Sequence, residues 1–319
     1  MLKKQFLRIV SLTKQSKSFL WLPTSGQNND SGGTKSTAIT KLEKLNLSYY
    51  SYNPKHLIKD GKELSPIIAI HGMFMSKDFF VPFAPIMAKK LKRPVYVVDL
   101  RNHGESPHRN FDGKASLAVM AQDVLDFMNE FSIPKAILLG QGLGGRVAIQ
   151  MAQLNQERCI KVIGVDISQD GTQMFTKSFP RFLYYLDETG MNSSNAALSY
   201  AKLVMKQILK SHVKNQFTLK FLLDNIRASR EGNYQWRFNP KTLNTMLHHW
   251  QKVKKINYGS KVDFNVMSVV TKSNFITSED YLDLRRNFEE CKVEYIPSQY
   301  IFNNSAKFLD KLEEFIENK

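Results

Sequence analysis

Cysteine is scarce in this chain. Cys159 and Cys291 are the only two in 319 residues. Two thiols that far apart make no disulfide framework and no metal-ligand spacing, so they read as buried thiols of a reduced compartment. No apolar run is long enough to cross a bilayer, so no transmembrane segment is expected. No segment repeats. Acid is also in deficit: 29 Asp and Glu stand against 45 Lys and Arg, a formal net charge of +16. That excess is spread over the whole length. It forms no arginine-rich block and no basic–aromatic repeat, so neither DNA nor RNA is expected as a partner.

The acid deficit is sharpest at the start, where no acidic residue precedes Asp30. Lys3, Lys4, Arg8, Lys14 and Lys17 interleave with Leu2, Phe6, Ile9 and Val10 at helical spacing. A secretory signal would need a longer unbroken apolar core. This composition fits a mitochondrial transit peptide, with a disordered basic tail as the plainer reading. The Gly/Ser/Asn-rich run Ser25 to Thr37 reads as a flexible junction. Residues 1–41 are therefore expected to be transit peptide and linker, residues 42–319 the folded domain, and the chain mitochondrial.

The folded part is rich in short apolar runs. Leu45 to Tyr52, Pro66 to Ile70, Pro94 to Leu100, Lys135 to Gly140 and Cys159 to Ile167 read as strands. Phe83 to Leu91, Ser116 to Phe131 and Leu143 to Leu154 have helical spacing. Alternation of this kind predicts parallel strands joined by crossover helices, an α/β class with a mostly parallel central sheet. The pattern breaks at Gly171 to Ile256, which is helical in character and contains His248 and His249. It resumes at Phe264 to Val270 and closes with a helix from about Asn304 to Glu317. Helices inserted at 171–256 would form a lid over the carboxyl ends of the strands.

Ligands of open α/β sheets bind at those carboxyl ends. Four pieces fall there. After the strand ending at Ile70 comes His71-Gly72-Met73-Phe74, where the Met73 N–H could supply half of an oxyanion hole. His71 reads as structural. After the strand ending near Val98 comes Asp99-Leu100-Arg101-Asn102-His103-Gly104-Glu105-Ser106-Pro107. Asp99 and His103 could do acid–base chemistry, but bracing the loops is the plainer role. The third piece is Gly140-Gln141-Gly142-Leu143-Gly144-Gly145. It has the layout of a nucleophile elbow, G-x-S-x-G, with Gly142 where the serine should stand. The Leu143 N–H would be the second oxyanion donor. The fourth is Asp166, at the acid position after the next strand. The loop that should deliver the histidine reads Pro297-Ser298-Gln299-Tyr300, and no histidine occurs after His249. Another acid position holds Asn274.

Together these pieces resemble the α/β-hydrolase superfamily, and within it mitochondrial esterases and the fungal ethanol acetyltransferase family. The resemblance runs from about Leu45 to the end. It implies an α/β-hydrolase fold with a helical lid and no metal. It also implies acyl transfer from acetyl-CoA to an alcohol, or ester and thioester hydrolysis. Acetyl-CoA would enter as a substrate, no resident cofactor is expected, and a small acyl or alcohol ligand is. The catalytic positions carried over are Gly142 for the nucleophile, Gln299 for the base and Asp166 for the acid, with Met73 and Leu143 at the oxyanion hole. Nucleophile and base are both replaced, which suggests a silent or impaired member. The other readings are an enzyme with a rearranged site, using His103, His248 or His249, and a non-catalytic scaffold.

Overall fold

The computed structural model describes residues 44–54, 58–59, 62–109, 116–167, 197–210, 213, 216–229, 234–252, 266–270, 282, 288, 291–296 and 305–317. Seven strands form one sheet: β1 (Tyr49–Tyr52), β4 (Ile67–Ile70), β5 (Val95–Val98), β6 (Ala136–Gln141), β7 (Cys159–Val165), β10 (Val266–Val270) and β11 (Cys291–Tyr295). Their spatial order is β1-β5-β4-β6-β7-β10-β11. Only β1 runs antiparallel, against β5; every other pairing is parallel. The central strands are apolar along their whole length because helices cover both faces.

The two faces separate by the strand period of two. Ile68, Ile70 and Leu138 join one core with Met120, Val124 and Phe127 of α2 (Ser116–Glu130) and Val147 and Met151 of α3 (Leu143–Leu154). Ile67, Ala69, Ile137 and Leu139 face the other core, with Phe83 and Met87 beside and on α1 (Ala84–Leu91) and Phe308 and Leu312 of the C-terminal helix Ser305–Glu317. Burying each of the larger side chains among these stabilises the fold by about 1.5–3 kcal/mol. Phe83→Ala, in the second core, should cost about 3–5 kcal/mol. The C-terminal helix ends on Lys161, whose buried ammonium donates to the Phe315 carbonyl at 2.6 Å. A cation there suits the negative end of the helix dipole.

The 171–256 insert contains more than helix. Between α4 (Leu198–Leu209), α5 (Gln216–Asp224) and α6 (Pro240–Lys252) lies a hairpin of β8 (Ile226–Ala228) and β9 (Tyr234–Trp236). Its period-two pattern buries Ile226 opposite Trp236. Helix α5 therefore stops at Asp224. A second two-residue hairpin, β2 (Ile58–Lys59) with β3 (Lys62–Glu63), was also not expected from the sequence. The segment read as leader and linker, 1–41, lies outside the described residues.

After β4 the chain crosses to β5 on one side and returns to β6 on the other. That reversal opens a crevice at the carboxyl ends of β4 and β6. His71 to Phe74 and Gln141 to Leu143 meet in it.

Candidate functional site

The glycines around position 142 set the shape of the turn. A Cβ on Gly140 would stand 2.3 Å from the Gly144 backbone, and one on Gly144 would stand 2.1 Å from the Ile70 carbonyl oxygen. The first turn of α3 is thus pressed onto the ends of β4 and β6. The chain can reverse so sharply only if its tip takes a left-handed backbone. Gly142, at that tip, has φ 48° and ψ −109°. A side chain there costs about 1–3 kcal/mol of strain. Space is not the obstacle: a Cβ on Gly142 would meet nothing within 4 Å. The elbow keeps its strained form and its clearance while lacking the hydroxyl that would use them.

Both expected oxyanion donors lie at this turn. Leu143 is the first residue of α3. Met73 follows Gly72, whose Cβ would lie 3.5 Å from the Gln141 carbonyl oxygen, so the two loops are in contact. Among the described residues neither the Met73 N–H nor the Leu143 N–H is taken by a hydrogen bond. The positive end of α3 adds to their pull on an anion or a polarised carbonyl.

Asp166 follows β7, whose last residue Val165 is in register with Gln141. That puts Asp166 level with Gly142, one strand away. Its backbone is left-handed, φ 49°, and its N–H is tied to the Val269 carbonyl at 2.9 Å. Gly142, Leu143, Met73 and Asp166 therefore gather at the ends of three adjacent strands. Gln299, Ser298 and Asn274 lie outside the described residues. So do the side chains of His248 and His249, although α6 carries their backbone.

The remaining polar groups of the crevice are braces. His71 is fully buried, with Nδ1 2.8 Å from the Gly72 carbonyl oxygen and Nε2 accepting from the Leu100 N–H at 3.1 Å. Burial lowers its pKa to about 4. Held neutral, it forms no ion pair with Asp99, 3.9 Å away. His103 is equally buried, its ring centre 5.0 Å from that of His71. Its Nδ1 lies 3.0 Å from the Arg101 carbonyl oxygen, and burial lowers its pKa to about 3. Its Nε2 has no hydrogen-bond partner among the described residues. An imidazole so reluctant to take a proton is a poor general base at neutral pH.

Asp99 is fully buried and fully engaged. It accepts from the Lys77 N–H at 2.6 Å, the Lys77 ammonium at 2.8 Å and the Glu105 N–H at 2.9 Å. Lys77 also reaches Glu105 at 2.6 Å. Burial alone would lower the Lys77 pKa; the two carboxylates outweigh it and raise the value. This Lys77–Asp99–Glu105 knot was not legible in the sequence. Nothing in Met75-Ser76-Lys77 marks the lysine as buried.

The insert is fastened to the same loops. Asn225, at the end of α5, donates to the Phe74 carbonyl at 2.7 Å, and the Phe74 ring meets Phe238 edge-on at 5.1 Å. Phe74 itself has φ 61°, so its left-handed backbone is held by partners from the insert. Asn239 N–H donates to the Asn102 carbonyl at 2.9 Å. Arg237 pairs with Asp78. Gln141, beside the tip, keeps a buried Oε1 without a hydrogen-bond partner among the described residues.

A family model described as the alpha/beta hydrolase fold matches residues 65–253. The zebrafish (Danio rerio) sn-1-specific diacylglycerol lipase ABHD11 is 27% identical over 260 residues, covering 81% of this chain and 79% of the relative. A probable alcohol acetyltransferase of Cyberlindnera fabianii is 28% identical, over 63% of this chain and 55% of the relative. Among solved structures, a marine microorganism esterase superposes with a TM-score of 0.65 at 21% identity, over 85% of this chain and 99% of its own. The matched residues hold β4 to β7, the elbow and most of the insert, more than half of the sequence. The chain belongs to the α/β-hydrolase fold family.

Proposed function

We propose that this chain is an acyl-binding member of the hydrolase and acyltransferase family whose covalent chemistry is lost or severely impaired. The observation that carries the reading is Gly142, a tip with the elbow's left-handed backbone, clear space above it and no hydroxyl. An ester, thioester or carboxylate would place its oxygen between the Met73 and Leu143 N–H groups. Such donors polarise a carbonyl whether or not a nucleophile stands below it. Asp166 keeps the acid position, but an acid without an imidazole orients nothing. Loss of serine and histidine together removes the nucleophile–base pair, leaving only what binding and oxyanion donors supply.

Relatives named as lipase, acetyltransferase and esterase support an acyl ester or thioester as the ligand class, with acetyl-CoA a candidate donor. We take the 171–256 insert as a lid, on the strength of the Asn225–Phe74 bond. Mitochondrial placement rests on the basic, acid-free stretch before Asp30.

The test is turnover by the purified full chain, both acetyl-CoA-dependent ester formation and ester hydrolysis. The expected rate is that of the blank. Turnover that survives Asp166→Ala and Gly142→Ala would overturn the reading. Turnover abolished by His103→Ala would replace it with a rearranged active site.

A further inference from the structure

The outer face of α4 and α5 combines exposed apolar side chains with unpaired positive charge. Tyr200 and Leu203, 42% and 53% exposed, lie on this face, while Leu198, 38% exposed, starts the helix on another side. They are three of the eight large exposed apolar residues among the described ones, all on one twelve-residue helix. Lys202, Lys206 and Lys210 succeed one another at spacings of four, which puts them in a stripe along the edge of that face. Between α4 and α5 runs a groove of about 750 Å³ with Leu203, Val213, Leu219 and Leu223 in its walls and these lysines and Lys220 among its lining.

The charge on this face is one-sided. Its single acid among the described residues, Asp224, is already engaged by Lys202 at 3.6 Å and Lys220 at 2.6 Å. Lys206 and Lys210 have no ion-pair partner among the described residues. Lysines that flank exposed leucine and tyrosine are the pattern of a helix lying in a bilayer interface, its stems along apolar surface and its ammonium groups at lipid phosphates. The groove is the size of a pocket for a ligand such as an acyl chain. No described helix is long and apolar enough to cross a membrane, so contact would be peripheral.

We propose that the α4–α5 face docks on a bilayer surface carrying anionic phospholipid. The inference stands apart from the fate of the elbow chemistry, since it uses none of the residues around Gly142. α5 leads directly into Asn225 and its bond to Phe74, so the docked face is continuous with the segment fastened to the loop after β4.

The test is flotation of the full chain with phosphatidylcholine vesicles, with and without phosphatidylserine. Binding should require phosphatidylserine. Leu203→Glu should abolish it, and Lys206→Glu with Lys210→Glu should weaken it roughly 25-fold or more, at about fivefold for each lysine near the surface. Lys89→Glu with Lys135→Glu removes the same charge from exposed sites elsewhere and should leave binding near wild type. Amide exchange gives a local readout: the vesicles should protect residues 198–209. Equal loss in both lysine pairs would reduce the effect to general basicity and overturn the proposal. Protection confined to residues 1–43 would also overturn it, as would self-association in the absence of lipid that Leu203→Glu abolishes.

Discussion

The N–H of Gly142 donates to the carbonyl of Val165 at 2.9 Å, which ties the tip of the elbow to the residue before Asp166. Asp166 in turn donates its N–H to Val269. The strand ends of β6, β7 and β10 are therefore laced by backbone bonds. None of these bonds depends on the side chain at position 142. A site of this kind can lose its nucleophile and keep its shape.

Substitutions at two neighbouring glycines should differ sharply. Gly142→Ser has room and pays only for its left-handed backbone, so unfolding in denaturant should show a loss of about 1–3 kcal/mol. Gly144→Ala puts a methyl 2.1 Å from the Ile70 carbonyl oxygen and must move backbone. It should cost well over about 3 kcal/mol or prevent folding. Equal effects would mean that the turn is not the tight one described.

Lys77→Met should destabilise by about 3–5 kcal/mol, because it leaves Asp99 buried without its counter-charge. Lys77→Met together with Asp99→Asn should recover part of that loss. Chemical unfolding of the three proteins checks this. A single variant as stable as wild type would show that the backbone N–H bonds to Asp99 suffice.

The buried histidines set an acid limit. Both folded values lie below the unfolded 6.5, so the unfolded chain takes up protons first as pH falls. Their contribution is complete above pH 6.5. It drains away as pH falls toward about 4 for His71 and about 3 for His103. For His71 alone the loss is about 3 kcal/mol. Unfolding free energy measured from about pH 7 down to about pH 4 should fall accordingly, and His103→Leu should flatten the slope. An unchanged slope in that variant would remove His103 from the explanation.

Asn225→Ala leaves the buried Phe74 carbonyl without its donor, which should cost about 1–3 kcal/mol. The loss should also be local. Amide exchange should quicken in α5 and in residues 72–76 before it does in β6. Uniform quickening through the domain would mean that the insert and the loop after β4 are not specifically linked.

Much of the fold was legible because each signal was local. Apolar runs marked the parallel strands, helical spacing marked α1 to α3, and Gly140 to Gly145 marked the turn between β6 and α3. The hairpin β8–β9 was missed because three-residue strands such as Ile226-Arg227-Ala228 are too short to show a period against helical surroundings. The placing of Met73, Gly142 and Leu143 beside one another was legible, since it is set by where strands end. The braces of the site were not. The burial of Lys77, the orphaned Nε2 of His103 and the reach of Asn225 to Phe74 join residues 22 to 151 positions apart, or none at all. No pattern along the chain encodes such meetings.

The most direct test is ester and thioester turnover by the wild type beside Gly142→Ser/Gln299→His. If the elbow lacks only its chemistry, the wild type should stay at the blank rate and the double variant should exceed it by about 100-fold or more, the scale of a restored base. Wild-type turnover at an enzymatic rate, unchanged by filling position 142, would contradict it.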